Sequence, residues 1–539
     1  MRFTQKLRQA YRNNSSGIKN WKVDFNQLQC DVKGLCGALP PSSGLWRFEE
    51  SKKNGATVYR STHVNTSKEM MSYSDFPLPK EYANYMHNSF VLKYYRMYAE
   101  RFGILKHIQF HTEVLSCDFA DDYSKTGNWE LKVKNSKTEK ERTEIFNGVM
   151  VAVGHHAVPN FPVSEFAGYE KFKGPITHST DYRDFKGFED KNVVVVGMGN
   201  SGADIAVELS WHCPKVCLST RKGSWIFGRV GGKGYPLDYK FMTRYNLLRM
   251  SILPESYTRA ELEASLNGVL DHANWGIKPK NGPLNQHPLI TSALPDRILN
   301  GSVTMKPNVQ RFKEDSVVFV DGSEVKADAV VFATGYVFSF PFLKDSLINF
   351  RNKTSTDVYQ MMWPLSVKHN TLCMIGHVQA LATVNPLAEM QSRWATRVFK
   401  GLSKLPSERE MRNQVEEKHK QMKSHYYESQ RHTIEVDHIP YMDFLAKEIG
   451  CKPNLWRIAL TDLPLAKKMF FEYCTGYQYR LVGPGKWSGA REAIMTQTER
   501  MLHPLKCLPM HEEKKTGWWS YFIVVVIATV IYFVFNNYY

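Results

Sequence analysis

No C-x-x-C pair occurs anywhere in the chain, and its nine cysteines (Cys30, Cys36, Cys117, Cys213, Cys217, Cys373, Cys451, Cys474 and Cys507) are odd in number and widely spread. A disulfide scaffold or a structural zinc site would need close pairs, so neither is expected, no metal site is assigned, and a reducing compartment fits. No apolar run marks the first thirty residues, so no secretory leader is expected. The formal charge is +17, yet its lysines and arginines form no basic block and no zinc-finger or helix-turn-helix spacing. Nucleic acid is therefore not an expected partner. Internal repeats and low-complexity tracts are also missing.

What the chain does have is length and apolar content. With 539 residues, 43% hydrophobic and 13% aromatic, it can build two or more lobes with sizeable cores. Gly517 to Phe535 reads GWWSYFIVVVIATVIYFVF, nineteen residues without a charge. At about 1.5 Å per residue such a helix spans the hydrocarbon core of a bilayer. Trp518 and Trp519 on one side, and Tyr538 and Tyr539 on the other, suit the headgroup zones. Lys514 and Lys515 precede the stretch and only four residues follow it, so a single-pass anchor with the main body in the cytoplasm is expected.

Along the chain, apolar runs end repeatedly in glycine. Phe146 to Val153 closes at Gly154, Asn192 to Val196 at Gly197, and Asp328 to Ala333 at Thr334-Gly335, with a further strand at Lys215 to Leu218. Between the second run and Lys215, Ile205, Ala206 and Leu209 recur at helical spacing over Ser201 to Leu209. Strand, glycine turn, helix and strand make a βαβ unit, which predicts an α/β fold with a largely parallel sheet. Ser407 and Glu410 read as a capping box opening a charged helix. The Lys137 to Glu144 run reads as a solvated hairpin tip.

The strongest chemical signal is Gly197-Met198-Gly199-Asn200-Ser201-Gly202. A G-x-G-x-x-G alone is a weak pattern, but here it follows an apolar strand and opens a helix. Gly197 permits the tight turn, Gly199 lets a pyrophosphate approach, and Gly202 lets helix and strand pack closely. The helix N-terminus then offers N–H groups and partial positive charge to phosphate. About twenty residues on, an NAD site would carry a carboxylate for the ribose. This chain has Ser219-Thr220-Arg221-Lys222 instead, and Arg221 can pair with a 2′-phosphate, which predicts NADP.

Several blocks, in order, resemble the flavin-containing monooxygenase family of the vertebrate microsomal, dimethylaniline N-oxide-forming type. They are Phe172 to Tyr182 (FKGPITHSTDY), Gly44-Leu45-Trp46-Arg47-Phe48, Asn65-Thr66-Ser67-Lys68, Val153-Gly154-His155-His156, Ala333-Thr334-Gly335-Tyr336 and Tyr477 to Arg491. The resemblance runs from about residue 44 to the end. It implies a two-dinucleotide flavoprotein: an FAD lobe over 44–185 and 329–512, an NADP lobe over 186–328, and an anchor over 517–535 in the endoplasmic reticulum membrane. It also implies the reaction: NADPH reduces flavin, O₂ adds to give a C4a-hydroperoxide, and a soft nitrogen or sulfur nucleophile takes its distal oxygen. Carried to single residues, the resemblance implies that Leu45 and Trp46 border the flavin, that Asn65 is the catalytic residue between flavin and nicotinamide, hydrogen-bonding near the reactive carbon, and that Val64 adjoins it in the cofactor site. Ser201, Gly202, Ala203 and Asp204 match the pyrophosphate site, and Thr220 with Arg221 the 2′-phosphate clamp. From the residues alone, Asn65 reads equally as a loop asparagine or as the sequon N-T-S. His155 and His156 read as turn residues, and His178 as structural.

The resemblance stops before Gly44. Of the residues there, Gly17, Gly34 and Gly37 are the only glycines, and none belongs to a G-x-G-x-x-G preceded by an apolar strand. Residues 1–43 therefore take the place of the first FAD-binding βαβ unit and lack its phosphate turn, so FAD retention by this chain is expected to be poor. A family member that holds NADP but not FAD, a membrane-bound binding or decoy protein, is the alternative to the active enzyme.

Overall fold

The computed structural model describes residues 44–50, 57–348, 350–352, 355–425 and 433–507. The expected anchor at 517–535 and the atypical segment 1–43 lie outside the described residues. Among the described residues no helix is long and apolar enough to cross a membrane.

In chain order, β1 (Thr112–Phe119), β2 (Trp129–Asn135) and β3 (Glu141–Phe146) are followed by the short β4 (Val149–Val151) and β5 (Ile176–His178). Then come β6 (Asn192–Val196), α1 (Asn200–Leu209), β7 (Lys215–Ser219) and α2 (Arg244–Ile252). Next are β8 (Val303–Lys306), β9 (Val309–Phe312), β10 (Ser316–Phe319), β11 (Glu324–Lys326), β12 (Ala329–Phe332) and β13 (Leu372–Met374). The C-terminal part is helical and includes α3 (Glu408–His425), α4 (Leu455–Thr461), α5 (Leu463–Phe471) and α6 (Gln497–Leu502).

Five of these strands form one parallel sheet in the order β8-β7-β6-β12-β5. The βαβ unit expected from the sequence is its centre. Val193 to Val196 are buried on both faces, which is why β6 reads as an unbroken apolar run. Ala203, Ile205, Ala206 and Leu209 turn the buried stripe of α1 onto that sheet. From β6 the chain moves to β7 and β8 on one side and returns to β12 on the other. The crevice beyond the C-terminal ends of β6 and β12 is thus the topological switch point, where such sheets bind ligands. The antiparallel meander β9–β11 fills the return from β8 to β12.

A second antiparallel meander joins β1, β2 and β3. In β2, Trp129, Leu131 and Val133 are buried while Glu130 and Lys132 face water, the two-residue period of a half-covered strand. The turn between β2 and β3 runs from Ser136 to Lys140, so only the first half of the charged run expected at a hairpin tip lies in it, and Glu141 to Glu144 belong to β3. The first glycine-ended strand is shorter than its apolar run suggests: Phe146 closes β3, and only Val149–Val151 pairs, in parallel, with β13. At α3 the capping box is formed: the backbone N–H of Ser407 donates to Glu410 Oε2 at 2.8 Å, and Ser407 Oγ accepts from the N–H of Glu410 at 3.4 Å.

Candidate active site

Gly197 stands at the switch point with φ +114°, a conformation side chains rarely adopt, and its N–H donates to the Ser219 carbonyl at 2.9 Å. A Cβ there would come within 2.5 Å of the Ala333 carbonyl oxygen, and a Cβ on Gly202 would strike the Gly197 carbonyl. These two glycines are demanded by backbone packing. Gly199 differs: a Cβ on it would touch nothing within 4 Å. It is the N-cap of α1, with extended backbone and no side-chain cap, and the space beside its Cα is open at the start of the helix. That opening fits a pyrophosphate.

The other predicted dinucleotide residues sit around it. Ser201 is exposed on the first turn and Ala203 is fully buried. The Asp204 carboxylate faces inward and accepts a 2.6 Å bond from the Tyr59 hydroxyl; burial raises its pKa, and Tyr59 is raised well above the usual phenol range. At the end of β7, the Thr220 N–H donates to the Lys306 carbonyl at 2.9 Å, and Thr220 Oγ1 accepts from the N–H of Gly223 at 2.9 Å. This turn presents Arg221 exposed to solvent. An exposed guanidinium with no carboxylate at the position fits a 2′-phosphate.

Asn65 joins this site through two residues, Asn200 of the glycine motif and Arg229, to neither of which the sequence assigned a role. Its Oδ1 accepts from Arg229 Nη2 at 2.7 Å and from Nε at 3.2 Å, while its Nδ2 donates to Asn200 Oδ1 at 3.2 Å. Asn200 belongs to the glycine turn itself. Its Oδ1 also accepts from the N–H of Ile290 at 2.9 Å, and its Nδ2 donates to the Pro288 carbonyl at 3.3 Å. Arg229 is held through its carbonyl, which accepts from the Tyr85 hydroxyl at 2.7 Å. Asn65 thus has one of its amide faces fixed by a cation and the other by the dinucleotide turn. Asn200 was legible as the x of the glycine motif; Arg229 stands in no motif, and nothing in its sequence context marks it.

The loop carrying Asn65 is fastened on both sides. Thr66 Oγ1 donates to the Ala382 carbonyl at 2.7 Å, and the Ser67 N–H donates to Asp238 Oδ2 at 2.7 Å. Burial pushes the Asp238 carboxyl up to about 6. Val64 is buried beside Met71, Leu78 and Val91, and Trp46 packs on the same cluster. Leu45 and Trp46 lie in a single 3-10 turn, Gly44–Trp46, to which the Val58 N–H bonds through the Leu45 carbonyl at 2.9 Å. His178 ends β5 buried, accepting from the Thr180 N–H at 3.1 Å. The His155 and His156 rings pack edge to face at 4.2 Å, and among the described residues no group of acidic, histidine and cysteine side chains could hold a metal ion.

The described residues therefore fit one dinucleotide. For a second they supply the residues expected at a flavin ring, Leu45, Trp46, Val64 and Asn65, and the β4–β13 pair, but no second glycine turn feeding a helix.

A family model described as flavin-binding monooxygenase-like matches residues 41–539. Flavin-containing monooxygenase 5 of Cavia porcellus is 46% identical over 464 residues, 86% of each chain. Flavin-containing monooxygenase 2 of Homo sapiens is 43% identical over 465 residues, again 86% of each. Among solved structures, S-allyl-L-cysteine S-oxygenase from Allium sativum matches with TM-score 0.55 at 22% identity, covering 79% of this chain and 85% of that one. The closed form of cyclohexanone monooxygenase matches with TM-score 0.54 at 16% identity, covering 76% and 90%. At these identities the two structures establish the shared two-domain α/β fold only.

Proposed function

Since the chain belongs to the flavin-containing monooxygenase family and is an enzyme of that family, we propose that it uses NADPH and O₂ to oxygenate soft nucleophiles, small molecules carrying nitrogen or sulfur. The observation that carries this reading is the bond between Asn65 and Asn200. It attaches the family's asparagine to the same turn that offers its open face to a pyrophosphate. In this reading Gly199 and the start of α1 bind the diphosphate, Thr220 and Arg221 the 2′-phosphate, and Ser201 lies beside them. FAD, when bound, supplies hydride acceptance and oxygen activation.

What the chain's own residues contribute is position and a neutral polar edge. With Oδ1 occupied by Arg229, the Asn65 amide is fixed in one orientation and keeps a second N–H of Nδ2 for a ligand. An uncharged donor orients a reacting group without competing for its proton. Residues 186–328 with their flanking strands carry NADP, and 44–185 with 329–512 carry the flavin. Residues 1–43 carry no G-x-G-x-x-G, so in this reading the flavin is held loosely. Gly517 to Phe535 anchors the chain in the endoplasmic reticulum membrane with its body in the cytoplasm. The decoy reading draws no support from the relatives, whose names are those of enzymes.

The test is the full chain in detergent, supplied with FAD, NADPH, O₂ and a thioether probe. NADPH consumption with O₂-dependent formation of the sulfoxide is the expected result. NADP binding without any oxygenated product, with FAD in excess, would overturn the proposal in favour of a binding protein.

A further inference from the structure

A cavity of about 250 Å³ lies between α3, the hairpin that pairs Val358–Tyr359 with Trp363–Pro364, the strand Glu435–Val436 and the helix His438–Ile449. None of the residues lining it is a partner of Asn65 or part of the glycine turn. Its walls are mainly apolar: Val358, Met361, Val415 and Val436 are buried there, and Tyr441 and Phe444 add aromatic rings. Such a space takes the volume of about eight waters, or one small organic molecule.

Three features set this cavity apart from a gap in packing. The first is an orphan hydroxyl. Thr356 lines the cavity and is only 6% exposed, yet its Oγ1 has no hydrogen-bond partner. A buried polar atom left unpaired in the protein is ordinarily paired by something else. The second is a pair of opposite charges held apart. Lys418 on α3 is half-buried at the cavity, and among the described residues its ammonium makes no hydrogen bond and no ion pair. The Asp437 carboxylate lines the same space and attracts Lys418 from beyond ion-pair distance. Asp437 is the N-cap of the helix His438–Ile449, but its side chain makes no capping bond. The third is backbone strain. Gln360 and Met361, in the turn of the hairpin, have φ +50° and +57°, a region that glycine adopts far more readily than they do. The Tyr441 hydroxyl holds this turn by donating to the Gln360 carbonyl at 2.6 Å. Backbone of this kind is found at ligand clamps.

We propose that this cavity binds an apolar α-amino acid, with its carboxylate on Lys418, its ammonium on Asp437 and its side chain between the valines and the aromatic rings. A ligand of one sign would meet repulsion from one of the two side chains, whereas a zwitterion answers both. The Thr356 hydroxyl can serve either charged end. Tyr441 and Phe444 favour an aromatic side chain.

The test is equilibrium dialysis of the full chain in detergent against radiolabelled L-phenylalanine, with thermal unfolding of each variant alongside. One molecule per chain is expected, with saturation below about 10 mM. Lys418→Met and Asp437→Asn each remove one charge-assisted bond, so each should weaken binding about tenfold or more. Neither residue bonds the protein through its side chain, so both variants should unfold at the wild-type Tm. Lys418→Arg keeps the charge and should keep the binding. 3-Phenylpropionate, which lacks the ammonium, should bind Asp437→Asn more tightly than wild type. Phenylalanine that does not saturate overturns the proposal. Binding that withstands either Lys418→Met or Asp437→Asn overturns it too, because the amino acid then sits elsewhere. A loss in Lys418→Arg equal to that in Lys418→Met counts against it in the same way.

Discussion

Arg229 grips Asn65 with both edges of its guanidinium fork, Nη2 at 2.7 Å and Nε at 3.2 Å from the same Oδ1. A bifurcated, charge-assisted contact of this kind settles which way an asparagine amide points. The side chain it orients is the one that the family resemblance places between flavin and nicotinamide.

Arg229→Ala therefore frees the Asn65 amide to flip. Losing a charged hydrogen bond of about 1.5–3 kcal/mol predicts a fall of roughly tenfold to a hundredfold in kcat/KM for sulfoxidation. Arg229→Lys restores the charge but not the fork and should recover only part of it. Steady-state kinetics on a thioether, with NADPH saturating, checks both.

The glycine turn makes two opposite predictions. Gly202→Ala drives a methyl group into the Gly197 carbonyl, so it lowers both Tm and NADP affinity. Gly199→Ala meets no protein atom within 4 Å, so Tm stays within a degree or two while NADP affinity falls about tenfold or more, because the methyl group fills the phosphate's place. Thermal unfolding with NADP titration separates them.

Arg221→Ala removes the exposed guanidinium at the end of β7. NADPH affinity should weaken by about tenfold to a hundredfold, the worth of a charge-assisted phosphate contact, while NADH affinity barely moves. Equal losses for both nucleotides would place the 2′-phosphate elsewhere.

Asp238, beneath the Asn65 loop, predicts a pH effect on stability. Its folded pKa is raised to about 6 by burial, so its contribution to stability is complete below about pH 4 and is lost as pH rises through 6. Asp238→Asn keeps an acceptor for the Ser67 N–H and has no such loss. The stability of wild type relative to Asp238→Asn should fall between pH 4 and 6 and level off above, as urea unfolding at each pH would show.

Flavin content tests the expectation for residues 1–43. Full-length chain passed through gel filtration without added FAD should carry well below one flavin per polypeptide, read from its visible absorbance. Stoichiometric yellow protein would show that the diphosphate finds a cradle outside a glycine turn.

By itself the sequence determined the elements whose signals are local. An apolar run closed by Gly197 is a buried parallel strand and turn, the spacing of Ile205, Ala206 and Leu209 is a helix face, and Ser407 with Glu410 is a cap; each depends on neighbours within a few residues. The absence of a carboxylate at Thr220-Arg221 is equally local, so the expectation of NADP over NAD needs no fold. Tertiary structure alone decided the partners of Asn65 and Asp204. Arg229 lies 164 positions from Asn65, and Tyr59 lies 145 from Asp204. A position matched to the pyrophosphate site thus has its carboxylate occupied by a tyrosine hydroxyl, and an arginine in no motif orients the central asparagine. Such pairs form when the sheet closes and brings distant loops to one switch point, and no periodicity or short motif encodes which long side chains will meet there.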